Sequence, residues 1–129
     1  MCELLGLRRV SFLGHREDVA DILSSSHIYV LPTTSDTLPI SIIEAMFAGK
    51  AIVSTRCGGI PELLQHQKTG LLAEPGNVKD LADCLLQFGR DRRLIKQLGS
   101  NAQDFARNHL TVEKMATEIE RVYRSVHAS

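Results

Sequence analysis

Two carboxylates stand eight residues apart in "TSDTLPISIIEAMFAGK", Thr34 to Lys50: Asp36 and Glu44. Glu44 is nearly the only charge in a run made of Ile40, Ile42, Ile43, Ala45, Met46, Phe47 and Ala48. Pro39 fits the first position of a helix and Gly49 the position just past its end. A helix apolar almost all round is expected to be buried. An ionised Glu there is costly unless it is hydrogen-bonded or paired. A carboxylate can accept from two neighbouring hydroxyls at once, and a ribose diol offers such a pair. Ser41, three residues before Glu44, falls on the same narrow polar face. The helix start presents free N–H groups that suit phosphate. The pattern therefore predicts Glu44 on a nucleotide's ribose, phosphates near the helix start, and Asp36 facing a sugar. Taken on spacing alone, a structural reading also fits: Glu44 salt-bridged or at a surface edge, and Asp36 an ordinary loop acid.

The elements that must position these residues are readable. "RRVSFLG" (8–14), "HIYVLPT" (27–33), "AIVST" (51–55) and "GLLAE" (70–74) are strand candidates. They are mostly continuous apolar runs, as in a parallel sheet buried on both faces. Between them, Glu17 and Asp18 open a helix with Val19, Ile22 and Leu23 inward. Pro61 starts another. Asn77 caps a helix with Val78, Leu81, Ala82 and Leu85 on one face. Leu94, Ile95, Leu98, Ala102, Phe105 and Ala106 form a stripe. Thr111 caps a last helix striped by Val112, Met115, Ala116, Ile119, Val122, Tyr123 and Val126. The first two thirds read β-α-β-α-β-α-β and the end is helical, a Rossmann-like parallel sheet with flanking helices and a C-terminal helical tail. Ligands in such sheets bind beyond the carboxyl ends of the strands, where the Asp36 loop lies.

Bulk properties exclude several classes. The 129 residues favour one domain, and the formal net charge is zero. A basic stripe for nucleic acid and a polybasic membrane patch are therefore not expected. No apolar run approaches the ~20 residues of a membrane span. The first residues do not read as a signal peptide, so a cytoplasmic location is expected. Cys2, Cys57 and Cys84 lack C-x-x-C spacing and read as reduced thiols. The histidines at 15, 27, 66, 109 and 127 show no metal-ligand spacing and read as surface or satisfied polar residues.

The chain from about Leu4 to Val126 resembles the donor-binding half of retaining glycosyltransferases of family four, which have the two-domain GT-B architecture. The motifs that carry the likeness are Asp36, Leu38 and Pro39, then Glu44–Ala45–Met46 with Gly49, then Gly58–Gly59–Ile60–Pro61–Glu62, then Thr69–Gly70–Leu71–Leu72. The resemblance implies transfer of a sugar from a nucleotide-sugar with retention, without a metal or other cofactor. It implies Glu44 on the ribose hydroxyls and Asp36 near the donor sugar, where the family has the first Glu of its E-x7-E pair. The amides of Thr37, Leu38 and the neighbours of Pro39 would lie near the sugar and diphosphate; Pro39 itself has no N–H to give. Two departures stand out. Asp36 in place of Glu reaches about 1.5 Å less far. Thr37 stands where a Gly is usual, and a side chain there crowds a backbone close to ligand. Gly58–Gly59 reads as a tight strand-to-helix turn feeding Pro61 or as a loop facing the ligand.

The same resemblance implies what is missing. The chain 1–129 would be part of the C-terminal, donor-binding domain, with the acceptor-binding N-terminal domain absent. The G-R…K segment that neutralises the donor diphosphate is absent too, and Arg8, Arg9, Arg16 and Arg56 do not match it. Transfer relies on such charge, so the chain alone is expected not to turn over. Met1 aligns inside the family's domain, which points to a piece of a longer protein, with a separate subunit as the alternative. Two strands between 8–14 and 27–33 are also missing. Either those two strands pair directly, or an open sheet edge invites association with a complementary half or a second copy. The competing function is a non-catalytic nucleotide-binding or interaction subunit. A sugar-nucleotide epimerase or phosphorylase is the third reading, against which the E-A-M-x-x-G and G-G-I-P-E pairing argues. In the full-length enzyme a peripheral membrane location is compatible with these features.

Overall fold

A computed structural model describes residues 4–127. Three strands form a parallel sheet in the order β1-β2-β3: β1 (Ile28–Val30), β2 (Ala51–Thr55) and β3 (Leu71–Ala73). Helices α1 (Val19–Ser25), α2 (Ile40–Phe47) and α3 (Ile60–Leu63) precede or link them, and α4 (Val78–Arg90), α5 (Arg92–His109) and α6 (Val112–His127) follow. The expected α/β class with flanking helices and a helical tail is present.

The sheet is covered on both faces, which is why its strands are unbroken apolar runs rather than alternating ones. Ile52 and Leu72 face a core with Leu23, Ile42, Met46, Ile60 and Leu64, closed by Ala102 and Ala106 of α5. Ala51, Val53, Leu71 and Ala73 face Cys84, Phe88 and Leu98. The stripe read on α5 thus serves both faces, since α5 contributes to each core.

Four expected features differ. Residues 8–14 form no strand and are exposed. A strand needs a neighbour to take its backbone hydrogen bonds, and among the described residues none flanks this segment. Nor does it pair with β1, which keeps one open edge, so of the two expected outcomes the open edge is the one seen. On α4 the inward stripe is Leu81, Cys84 and Phe88, whereas Val78 is 80% exposed and Leu85 and Ala82 also face out. Fully buried Phe88 sets that rotation, because a large aromatic dominates the area removed from water. The α6 stripe is formed but uncovered: Val112, Met115, Ile119 and Val122 are all exposed. Its remaining members Tyr123 and Val126 lie outside the described side chains, as does Cys2. At α1, Leu23 is buried but Val19 is exposed.

The helix ends follow local chemistry. Asn77 caps α4 by accepting from Asp80 N–H at 3.0 Å. Past α2, Gly49 takes φ +67°, and Lys50 N–H donates back to Ala45 O at 3.0 Å while Gly49 N–H donates to Met46 O at 2.9 Å. That pair of bonds is a Schellman ending, which favours Gly at this position. Pro39 sits at the cap rather than the first helical residue of α2.

The turn 65–70 that leads into β3 is pinned by His66, whose Nδ1 accepts from Leu72 N–H at 2.9 Å. Burial, aided by the charge of Arg56 and opposed by Asp80, holds this imidazole below its ordinary 6.5. The folded chain therefore favours the neutral ring. Below about pH 6.5 the unfolded chain takes up a proton that the folded one resists, so the stability His66 provides falls as pH drops through that range. His66→Phe is expected to cost about 1–2 kcal/mol near pH 7, the cost of leaving a buried N–H unsatisfied. It should also flatten the decline in Tm between pH 7 and pH 5. An unchanged slope in the variant would count against this pin.

Candidate active site

The loops after β1 and β2 meet at the carboxyl ends of the strands. Ser54 Oγ donates to Leu31 O at 2.9 Å and Thr55 Oγ1 donates to Thr33 O at 2.5 Å, so β2 side chains hold the backbone leaving β1. Farther out, Gly59 N–H donates to Thr37 O at 2.7 Å. The two glycines are required by this contact. A Cβ on Gly58, which has φ +52°, would stand 1.5 Å from Asp36 O, and one on Gly59 would stand 2.2 Å from Thr37 O. The G-G pair is therefore a tight strand-to-helix turn.

The result is an open hollow of about 560 Å³ lined by Thr34, Ser35, Asp36, Thr37, Cys57 and Gly58. Asp36 is half-buried, and its carboxylate has no hydrogen bond or ion pair among the described residues. Thr37 is accommodated without strain: Gln67 is the single non-glycine with positive φ among the described residues. Cys57, read from sequence only as a reduced thiol, lines the hollow with its Sγ 3.5 Å from Thr55 Oγ1 and 3.7 Å from Thr33 O. Nothing in its sequence spacing signals that place; it follows from β2 ending at Thr55.

The start of α2 borders this hollow through Thr37, and no side chain caps it. Leu38 is half exposed and Pro39 is buried. Ser41 does not share an open face with Glu44. It is half-buried, and its Oγ accepts from Tyr29 OH at 2.7 Å, tying α2 to β1. That tyrosine went unnoticed in the sequence because it reads as part of a strand.

Glu44 departs from expectation in its setting. The helix is not buried all round: Ile42, Ala45 and Met46 are buried, while Ile40 and Phe47 are exposed and so is Glu44. Only the side toward the sheet and α5 is covered, so no burial cost has to be offset. Glu44 has no side-chain partner among the described residues. It lines a second hollow, of about 360 Å³, with Val19, Ala20 and Leu23 of α1 and Ile43, Phe47 and Ala48. Asp36 and Glu44 thus line different hollows, one before the start of α2 and one along its second half. Among the described residues no group of three His, Cys, Asp or Glu is placed to hold a metal ion. Among the described residues no helix is long and apolar enough to cross a membrane.

A family model described as "Glycosyl transferases group 1" matches residues 1–91. The chain belongs to that family. This group 1 glycosyltransferase chain is 34% identical over 118 residues to N-acetyl-alpha-D-glucosaminyl L-malate synthase of Bacillus anthracis, covering 92% of the chain and 31% of that protein. The structure of Anabaena Alr3699/HepE in complex with UDP superposes with a TM-score of 0.88 at 30% identity, over 96% of the chain and 35% of that one. The same protein has been solved with UDP-glucose. The chain spans about a third of the length of these relatives. Trehalose phosphorylase of Pleurotus sajor-caju also matches, 32% identical over 92 residues, so the motifs do not by themselves set the chain apart from proteins of that name. The GT-B type of Rossmann-like fold and glycosyltransferase membership stand as expected.

Gly58→Ala is expected to lower Tm by several degrees and to displace the amide resonances of Asp36 and Thr37. Gly76→Ala is the control: Gly76 has φ +76° but nothing within 4 Å of a Cβ, so it carries only the backbone cost of about 1 kcal/mol. Equal losses in both variants would show that the loop contact is not limiting.

Proposed function

We propose that the chain is the donor-binding part of a glycosyltransferase that moves a sugar from a nucleotide-sugar, with retention and without a metal. The observation that carries this reading is the pair of unpartnered carboxylates flanking an uncapped helix start at the carboxyl end of the sheet. A helix rises 1.5 Å per residue, so Ile40 to Glu44 spans about 6 Å. That suits a diphosphate at the start of α2 with a ribose at Glu44. The sugar would extend into the hollow beside Asp36, and the base would lie toward the apolar hollow between α1 and α2. Glu44 would accept from both ribose hydroxyls. Free N–H groups at the helix start would face the diphosphate. Relatives and neighbours support the donor class: Alr3699/HepE is named in complexes with UDP and with UDP-glucose.

Turnover needs more than this. As a sugar leaves, negative charge builds on the diphosphate and must be stabilised. Arg56, the cation next in sequence to Cys57, does not line the Asp36 hollow and pairs with Glu74 at 3.2 Å. We therefore assign acceptor binding, and the cations for the leaving group, to a further domain of a longer protein.

Titrating UDP into the labelled chain by NMR should shift amides at the start of α2 and beside Glu44. Glu44→Gln should weaken binding about tenfold, in keeping with the ~1.5–3 kcal/mol of charge-assisted hydrogen bonds. Asp36→Asn should leave UDP binding unchanged but weaken the added affinity for UDP-glucose. Equal UDP binding by wild type and Glu44→Gln would remove Glu44 from the ribose. The chain alone should release no UDP from UDP-glucose.

A further inference from the structure

A different site lies at the opposite end of the sheet. His27 directly precedes β1, and its carbonyl accepts from Ala51 N–H at 3.3 Å, which fixes it at the amino ends of β1 and β2. Beside it is a concavity of about 490 Å³ lined by His27, Arg92, Arg93, Ile95 and Lys96. Three of these carry positive charge and none is acidic. Arg92, Arg93 and Lys96 come from the first turns of α5, held in place where Asp91 accepts from Arg93 N–H at 2.9 Å. Lys50 adds a further cation nearby, donating to Ser26 O at 3.0 Å.

These cations are poorly compensated. Asp91 pairs with Arg93 at 3.4 Å, but that Arg side chain is 94% exposed, so the pair contributes little. Arg92, Lys96 and His27 form no ion pair among the described residues. Arg92 and Lys96 are four apart on one helix, and like charges at that spacing repel. The chain has zero formal net charge, so this is a local concentration rather than general basicity.

We propose that this hollow binds a phosphate monoester. Two guanidinium groups with planar, forked donors match phosphate oxygens, and an ammonium adds a point charge. A dianion would relieve the repulsion among them. Its lining holds no Phe, Tyr or Trp, the usual stacking surfaces of a nucleic-acid groove. The ester can come from a soluble metabolite or from a lipid headgroup, and both present the same group to the same side chains. The site lies away from Asp36 and Glu44 and does not depend on the donor reading.

Glycerol phosphate, titrated by NMR into the chain at low salt, is the soluble probe. Vesicles of phosphatidylcholine with or without phosphatidic acid are the lipid probe. The double variant Arg92→Gln, Lys96→Gln changes exposed helical positions, and circular dichroism with UDP titration checks that the fold and the other end of the sheet are intact. Glycerol phosphate should shift the amides of His27, Ile95 and Lys96, and the variant should weaken binding at least tenfold. Sedimentation with phosphatidic acid vesicles, lost in the variant, would assign the lipid source; soluble binding alone would assign a metabolite. The proposal is overturned if neither probe binds. It is equally overturned if shifts map elsewhere, if the variant binds as well as wild type, or if sodium chloride at matched ionic strength gives the same shifts.

Discussion

The site rests on the close approach of two backbones. The chain leaving β1 and the chain leaving β2 are joined by Ser54, Thr55 and the Gly59 amide. Those bonds use hydroxyls and amides that would otherwise be buried and unsatisfied, so they secure the fold and shape the hollow together. The contact leaves no room for a Cβ at Gly58 or Gly59. Asp36 and Thr37 are therefore held by a partner some twenty residues away rather than by their own loop. That gives a half-buried acid a fixed address.

Much of this was legible beforehand, for identifiable reasons. Strands buried on both faces declare themselves as runs such as Ala51–Thr55. Helix ends declare themselves where one residue type is strongly favoured, as Asn77 and Gly49 are. The α5 stripe was readable because it meets core along most of its length. The failures share a cause: sequence shows which surface is apolar, not whether something covers it. Among the described residues, 8–14 have strand composition but no strand beside them, and Val112, Met115, Ile119 and Val122 of the α6 stripe are left exposed. Glu44 looked embedded because its neighbours are oily, yet half of that helix is open.

Charge was hidden in another way. A formal net charge of zero averages over the chain and discards position. Arg92, Arg93 and Lys96 are close in sequence, but His27 joins them only through the packing of α5 beside the amino ends of the strands. Cys57 likewise gained its place through the pairing of β2 rather than through any spacing of cysteines.

Helix α5 carries a last implication. A Cβ on Gly99 would stand 2.4 Å from Gly49 O, and Gln103 Nε2 donates to Phe47 O at 2.7 Å. Both contacts fall on the closing turn of α2, one turn beyond Glu44. The family model stops at residue 91, so these two contacts come from residues downstream of it. Changes in sequence past that boundary can shift the closing turn of α2, and Glu44 with it, without touching any of the motif residues.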